Sequence, residues 1–256
     1  MLFTWIMLFT LKLHAQDIQT ILSNHYKALG AKENWDSIRS AIFVYTDSSL
    51  KEMSNTESFG NAFQSKIAIK INKRVGNHIY ERFISYSPND STNTSSTCYN
   101  GRDYWRQKIG GPIESFSDFS ARYGKFTRIG QTMLLSRADS IKSLGTKELL
   151  KDNQSILCLV LELQIDGTST YFFINSKTWL VEASRHLSLS EKNPTTYYTN
   201  YKLVSGLMFP FQETVKKNDT LVSLIEYRSI KLNIDIPDWI FDSQTTFNTI
   251  LNSINH

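Results

Sequence analysis

The sequence predicts a mainly β chain of the α+β kind: a single curved antiparallel sheet, an unclosed β-barrel, covered by helices. Two observations carry this. Segments Gln154–Ile165, Thr168–Ile174, Thr178–Leu189, Thr195–Leu203, Leu207–Lys217 and Leu221–Ile234 are separated only by short turns such as Asp166-Gly167, Ser205-Gly206 and Asn218-Asp219. Strands so spaced pair with their neighbours as antiparallel hairpins, and their regular spacing favours a strongly curved sheet or barrel. Helical periodicity, the second observation, is confined to the start, the middle and weakly the end of the chain. A wide antiparallel sheet needs one face covered, and the aromatic helices predicted at Ile113–Leu135 are the natural cover.

The chain opens with an apolar run, Met1–Thr10, then Leu-Lys-Leu-His-Ala and the polar Gln16-Asp17. A short apolar stretch ending in a small residue is the layout of a secretory signal peptide. It is shorter than the ~20 apolar residues needed to span a bilayer. Cleavage after Ala15 is expected, the alternative being a buried N-terminal strand or a misplaced start. Removing residues 1–15 from the 256 leaves 241 and takes away Lys12, so the net charge falls from +4 to +3. That length fits one domain, residues 16–256, because all-β domains run to ~200–250 residues.

Asp17 reads as an N-cap, Ile18, Ile21, Leu22, Tyr26 and Leu29 follow at helical spacing, and Gly30 supplies the stop. A second short turn around Asn34–Ser40 carries Trp35 and Ile38. From Ala41 the period becomes that of strands. Lys66–Ile71 alternates strictly, with Ile67, Ile69 and Ile71 on one face. Asn77–Ser87 is a further strand, Pro88–Thr97 reads as a polar loop, and Thr97–Gln107 as a hairpin about Asn100-Gly101. Between Ile113 and Leu135, apolar residues recur every three or four positions, which predicts two short helices with a greasy face. Ile236-Pro237-Asp238 ends the last strand, and Trp239–Ile254 reads as a loop and weak helix.

Apolar content of 41% and charged content of 20% are those of a folded chain. The densest basic cluster, Lys66, Lys70, Lys73 and Arg74, is too short for the stripe typical of nucleic-acid binding. Cys98 and Cys158 could pair or pack separately as small hydrophobes. The five histidines are scattered, so neither a metal nor a cofactor is expected. No GxSxG, HExxH or Gly-rich phosphate loop occurs, and Asp166, Glu182 and Glu226 read as solvated or ion-paired. The chain is therefore read as not an enzyme.

Four local signatures resemble those of exported proteins related to the LolA/LolB lipoprotein carriers. His25-Tyr26-Lys27-Ala28-Leu29-Gly30-Ala31-Lys32-Glu33-Asn34-Trp35 is similar to the opening helix and Gly-containing turn, and Tyr99-Asn100-Gly101-Arg102-Asp103-Tyr104-Trp105 to the Asn/Asp-Gly…Trp hairpin. Tyr171–Leu180 resembles the Asp-x-Lys-Thr-x-Leu turn, with Asn175 in place of Asp. Tyr201–Pro210 resembles Tyr-x-x-Val-x-Gly-x-x-Phe-Pro and is the most specific of the four. The family's Arg near the first strands has no counterpart in Ala41–Thr46, and the polar loop at Pro88–Thr97 is longer. The resemblance implies an unclosed barrel with a helical lid, a periplasmic location, and binding of acyl chains or another hydrophobic ligand.

Apolar transfer is worth ~25 cal/mol per Å² buried, so a cavity can hold an acyl chain without a catalytic motif. The candidate cavity residues are Ile67, Ile69, Ile71, Trp105, Phe116, Phe119, Tyr123, Met133 and Trp179, each of which could equally be plain core. The expected partner is a lipid or acylated protein, bound by a monomer, with an envelope protein as a further possibility. The alternative is a non-catalytic interaction or sensing module on the same fold.

Overall fold

The computed structural model describes residues 17–50, 63–76, 78–87, 90–116, 140–165, 168–187 and 193–254. Two helices, α1 (Ile18–Ala28) and α2 (Lys32–Asp36), precede β1 (Ser40–Leu50), β2 (Phe63–Val75), β3 (His78–Ser87), β4 (Asp90–Tyr99), β5 (Tyr104–Lys108) and β6 (Ile113–Phe116). There follow β7 (Ser140–Lys151), β8 (Gln154–Ile165), β9 (Thr168–Asn175), β10 (Val181–His186), β11 (Thr195–Val204), β12 (Leu207–Lys217) and β13 (Thr220–Leu232). A 3-10 helix (Asp238–Phe241) and α3 (Phe247–Ile254) end the described chain.

These strands form one antiparallel sheet in the order β6-β5-β4-β3-β2-β1-β13-β12-β11-β10-β9-β8-β7. The chain winds outward from β1 to β6, resumes at the far edge with β7, and returns until β13 pairs with β1. The first and last strands therefore lie side by side in the middle, and β6 and β7 are the two edges. The sheet is not closed into a barrel.

Turn chemistry explains the meander. Asp152-Asn153, Ser205-Gly206 and Asn218-Asp219 each place two consecutive residues at positive φ, as a type I′ turn requires. Such turns match the strand twist, and Asn, Asp and Gly tolerate them. Register shifts at Val44/Tyr45, Ser143/Thr146, Val181/Ala183 and Val215/Lys216 add local twist.

Two sequence expectations are corrected. Strand β4, Asp90–Tyr99, occupies most of the stretch Pro88–Thr97 that reads as a loop. Neighbours β3 and β5 pair with Ser95–Tyr99 on both sides, and that pairing overrides the turn preference of the Ser and Thr residues there. Ile113–Phe116 is a strand, β6, paired with β5, where a helix was expected. The remainder of the expected helical pair lies outside the described residues.

Each sheet face carries its own cover. On one face, Ile21 of α1 is fully buried among Leu161, Leu163, Phe172 and Ile174. Next to it, Leu29, Trp35 and Ile38 pack on Ala41, Phe43, Leu207, Phe209 and Ile230. On the opposite face, Ile236, Ile240, Phe241 and Ile250 of the C-terminal segment pack on Ile42, Ile69, Ile71, Ile84, Cys98 and Trp105. Each such aliphatic or aromatic side chain contributes ~1.5–3 kcal/mol on burial.

Arg82 fastens the C-terminal cover. Fully buried, it donates from Nη1 to the carbonyls of Ile240 (2.6 Å) and Asp242 (3.0 Å), from Nη2 to that of Thr245 (3.0 Å), and from Nε to Ser96 Oγ (3.0 Å). Its guanidinium lies 4.7 Å from the centre of the Trp105 ring, a cation–π contact. Burial lowers its pKa to about 10, so it remains a cation at neutral pH. Lys73 adds a second fastening, donating to the Ile236 carbonyl and pairing with Asp238, each at 2.6 Å.

Cys98 and Cys158 are both free and buried, in separate cores. Burial pushes both thiols up to about 12, which leaves them protonated and unreactive.

Candidate functional site

Two of the sequence signatures meet at the start of the site. Gly30, at φ +99°, ends α1 against the β11–β12 turn, where a Cβ would lie 2.1 Å from the Gly206 carbonyl oxygen. Met208 N–H donates to the Leu29 carbonyl (3.1 Å), and the Trp35 indole N–H donates to the same oxygen (3.0 Å). The opening helix and the Tyr201–Pro210 strand pair are thus one packing unit. It points Trp35 at Phe209, ring centres 4.8 Å apart.

From that contact a ladder of rings crosses the sheet on the α1 face. Phe209 meets Phe43 (6.2 Å), Phe43 meets Tyr227 (6.2 Å), and Tyr227 meets both Tyr45 (5.2 Å) and Phe211 (6.4 Å). Strand alternation makes this possible. Phe43 and Tyr45 share a face of β1, Phe209 and Phe211 a face of β12, and the shift at Val44/Tyr45 brings Tyr227 opposite Tyr45. Burial falls along the ladder. Trp35, Phe43 and Phe209 are 4%, 7% and 3% exposed, whereas Tyr45, Phe211 and Tyr227 are only half-buried.

Polar groups border the half-buried end. Tyr227 donates to Glu213 Oε1 (2.9 Å), and the Lys202 ammonium lies 4.6 Å from the Phe211 ring centre. Across β1, Lys70 pairs with Glu81 at 3.1 Å, and Asn72 donates to the same carboxylate at 3.0 Å. Burial raises the pKa of Glu213, against the Tyr227 hydrogen bond and the Lys70 charge that lower it. Its carboxyl thus holds its proton to a higher pH than an ordinary glutamate. Burial likewise raises the Tyr45 and Tyr227 phenols. The surface is aromatic, with hydroxyl donors and a weakly acidic carboxyl at its edge. It can accept an apolar chain by contact area and a polar end group by hydrogen bonds.

His25 locks α1 beside this surface. Its imidazole is buried, with Nδ1 2.6 Å from the carbonyl of Trp179, a residue in left-handed backbone conformation at the β9–β10 turn. Nε2 is buried with no hydrogen-bond partner among the described residues. Nδ1 therefore carries the proton, and desolvation lowers the pKa of the ring below 6.5. The folded state binds this proton less readily than the unfolded chain. The contribution is complete above pH 6.5 and is lost as pH falls from there through the folded value. Thermal unfolding of the wild type should therefore drop between pH 7 and 5. His25→Asn keeps an N–H donor without a basic nitrogen and should show a shallower drop; parallel profiles would contradict this role.

The nine candidate residues fall into three groups. Ile69, Ile71 and Trp105 are at most 3% exposed, in the core beneath the C-terminal segment, and Ile67 shares their face of β2. That face is filled by Ile236, Ile240, Phe241 and Ile250, so these side chains do not border the ring ladder. Trp179 is half-buried against the α1 core. Phe116 ends β6 opposite Tyr104, and Phe119, Tyr123 and Met133 lie outside the described residues. The ladder itself went unread, although Phe209, Phe211 and Glu213 alternate visibly. Among the described residues, no group of three His, Cys, Asp or Glu side chains is placed to hold a metal ion.

No protein-family model matches the sequence. No curated protein matches it either. Solved structures do match. The crystal structure of a DUF1329 family protein from Desulfovibrio piger superposes with a TM-score of 0.57 at 13% identity, over 88% of this chain and 97% of that one. That of the LolA superfamily protein NE2245 from Nitrosomonas europaea gives 0.52 at 15% identity, over the same shares of the two chains. With its unclosed antiparallel sheet, this chain has a LolA-like fold.

Proposed function

We propose that this protein is a periplasmic carrier that binds an acyl chain, as free lipid or on an acylated protein, against the ring ladder of the α1 face. The observation that carries the reading is the gradient along that ladder, from sealed rings at Trp35 and Phe209 to half-buried rings at Tyr45, Phe211 and Tyr227. A core built only for stability gains most by sealing its large rings. The likeness to a LolA superfamily structure supports a carrier, and the apolar leader Met1–Ala15 supports export and a mature domain of residues 16–256.

Native mass spectrometry of exported protein, purified without detergent, tests this. Co-purifying lipid is expected, and Phe211→Lys should reduce its occupancy at least tenfold while the unfolding midpoint changes little. Protein that is isolated empty and ignores acyl-chain probes would overturn the carrier and favour an envelope interaction module.

A further inference from the structure

We infer that a second site, on the opposite face of the sheet, binds a small aliphatic carboxylate between Arg82 and Lys108. A half-open cavity of about 240 Å³ lies between β3–β5 and the C-terminal segment. A water takes ~30 Å³ of liquid volume, so the space suits a carboxylate with a few carbons attached. Its polar border is made of cations, hydroxyls and amides, including Arg82, Lys108, Thr94, Ser96 and Thr246, and no carboxylate borders it among the described residues. Ile109, Ile113 and Phe247 supply an apolar side.

Arg82 gives the cavity its chemistry. Arg82 is 1% exposed, and it takes part in none of the ion pairs among the described residues. A guanidinium has five N–H donors. Among the described residues, the contacts to Ser96, Ile240, Asp242 and Thr245 use four of these and leave one on Nη2. A buried cation held only by neutral acceptors is incompletely compensated. The backbone carbonyls orient it, but an anion in the adjoining cavity would neutralise it. Asp242 acts on it through space, but its carboxylate accepts the Gln244 N–H (2.9 Å). Thr246 and Phe247, at the N-terminal end of α3, border the same space and add the positive end of the helix dipole. One N–H, one exposed ammonium and an apolar wall match a single carboxylate bearing an alkyl group better than a multiply charged phosphate.

Titration of hexanoate into the ¹⁵N-labelled full chain, followed by amide NMR, tests this. Saturable shifts are expected at residues 107–113 and 243–247, with none there from hexanol or hexylamine. Lys108→Glu, an exposed substitution, should weaken hexanoate at least tenfold with the unfolding midpoint unchanged. Phe211→Lys, on the other face, should leave this binding intact, which separates it from the carrier reading. Equal shifts from hexanol, equal shifts from chloride or phosphate, or unaltered binding to Lys108→Glu would each overturn the proposal.

Discussion

Arg82→Met should lower the folding stability by about 3 kcal/mol or more. The substitution removes four hydrogen bonds at once, and each buried polar group left unpaired costs ~1–3 kcal/mol. The orphaned acceptors are the carbonyls of Ile240, Asp242 and Thr245 and the Ser96 hydroxyl. Relief of the guanidinium's own desolvation offsets part of that loss, and Met retains some packing on Trp105. The midpoint of urea unfolding measures the total. Limited proteolysis gives the location, since residues 236–254 should be cut first in the variant. A loss below about 1 kcal/mol, with the C-terminal segment still protected, would mean that apolar packing alone fastens the segment.

Gly30→Ala should be comparably severe, for a different reason. An alanine at φ +99° pays the left-handed penalty of ~1–2 kcal/mol. Its Cβ would also sit 2.1 Å from the Gly206 carbonyl oxygen, a backbone atom that cannot swing aside as a side chain would. Overpacking adds ~1–3 kcal/mol, so a total of about 3 kcal/mol is expected. Amide exchange should locate the damage in α1 and the β11–β12 turn. Gly206→Ala is the internal control. Its φ is +83°, but nothing lies within 4 Å of the added carbon, so only the turn penalty remains. Equal losses from the two substitutions would refute the close-approach explanation.

Much of the fold was legible because local chemistry and global pairing agree. Ser205-Gly206 and Asn218-Asp219 read as turns and are I′ turns, Gly30 read as a helix stop and is one, and Ile67, Ile69 and Ile71 share a face as their alternation requires. Disagreement came where partners outside the segment decide the outcome. Ser95 and Ser96 have turn-like neighbours, yet β3 and β5 draw them into a strand. The helix-like spacing that starts at Ile113 yields to pairing with β5.

The site was less legible. Alternation places residues on a face but does not say what covers it. Ile69 and Ile71 are sealed by a segment about 165 residues later in the chain. Arg82 gave no local signal either, because its acceptors are backbone carbonyls that any sequence possesses. The ring ladder needs β1, β12 and β13 together, and only the closing pair of the sheet, β1 with β13, assembles it.

A palmitate analogue with a diazirine in its chain tests the central claim most directly. Photolysis with the full-length exported protein, followed by peptide mapping, reports where the chain lies. The account predicts adducts on Phe43–Asp47, Phe209–Glu213 and Tyr227, suppressed by unlabelled palmitate and by Phe211→Lys. Adducts spread evenly over both faces, or their absence from these segments at saturating probe, would contradict it.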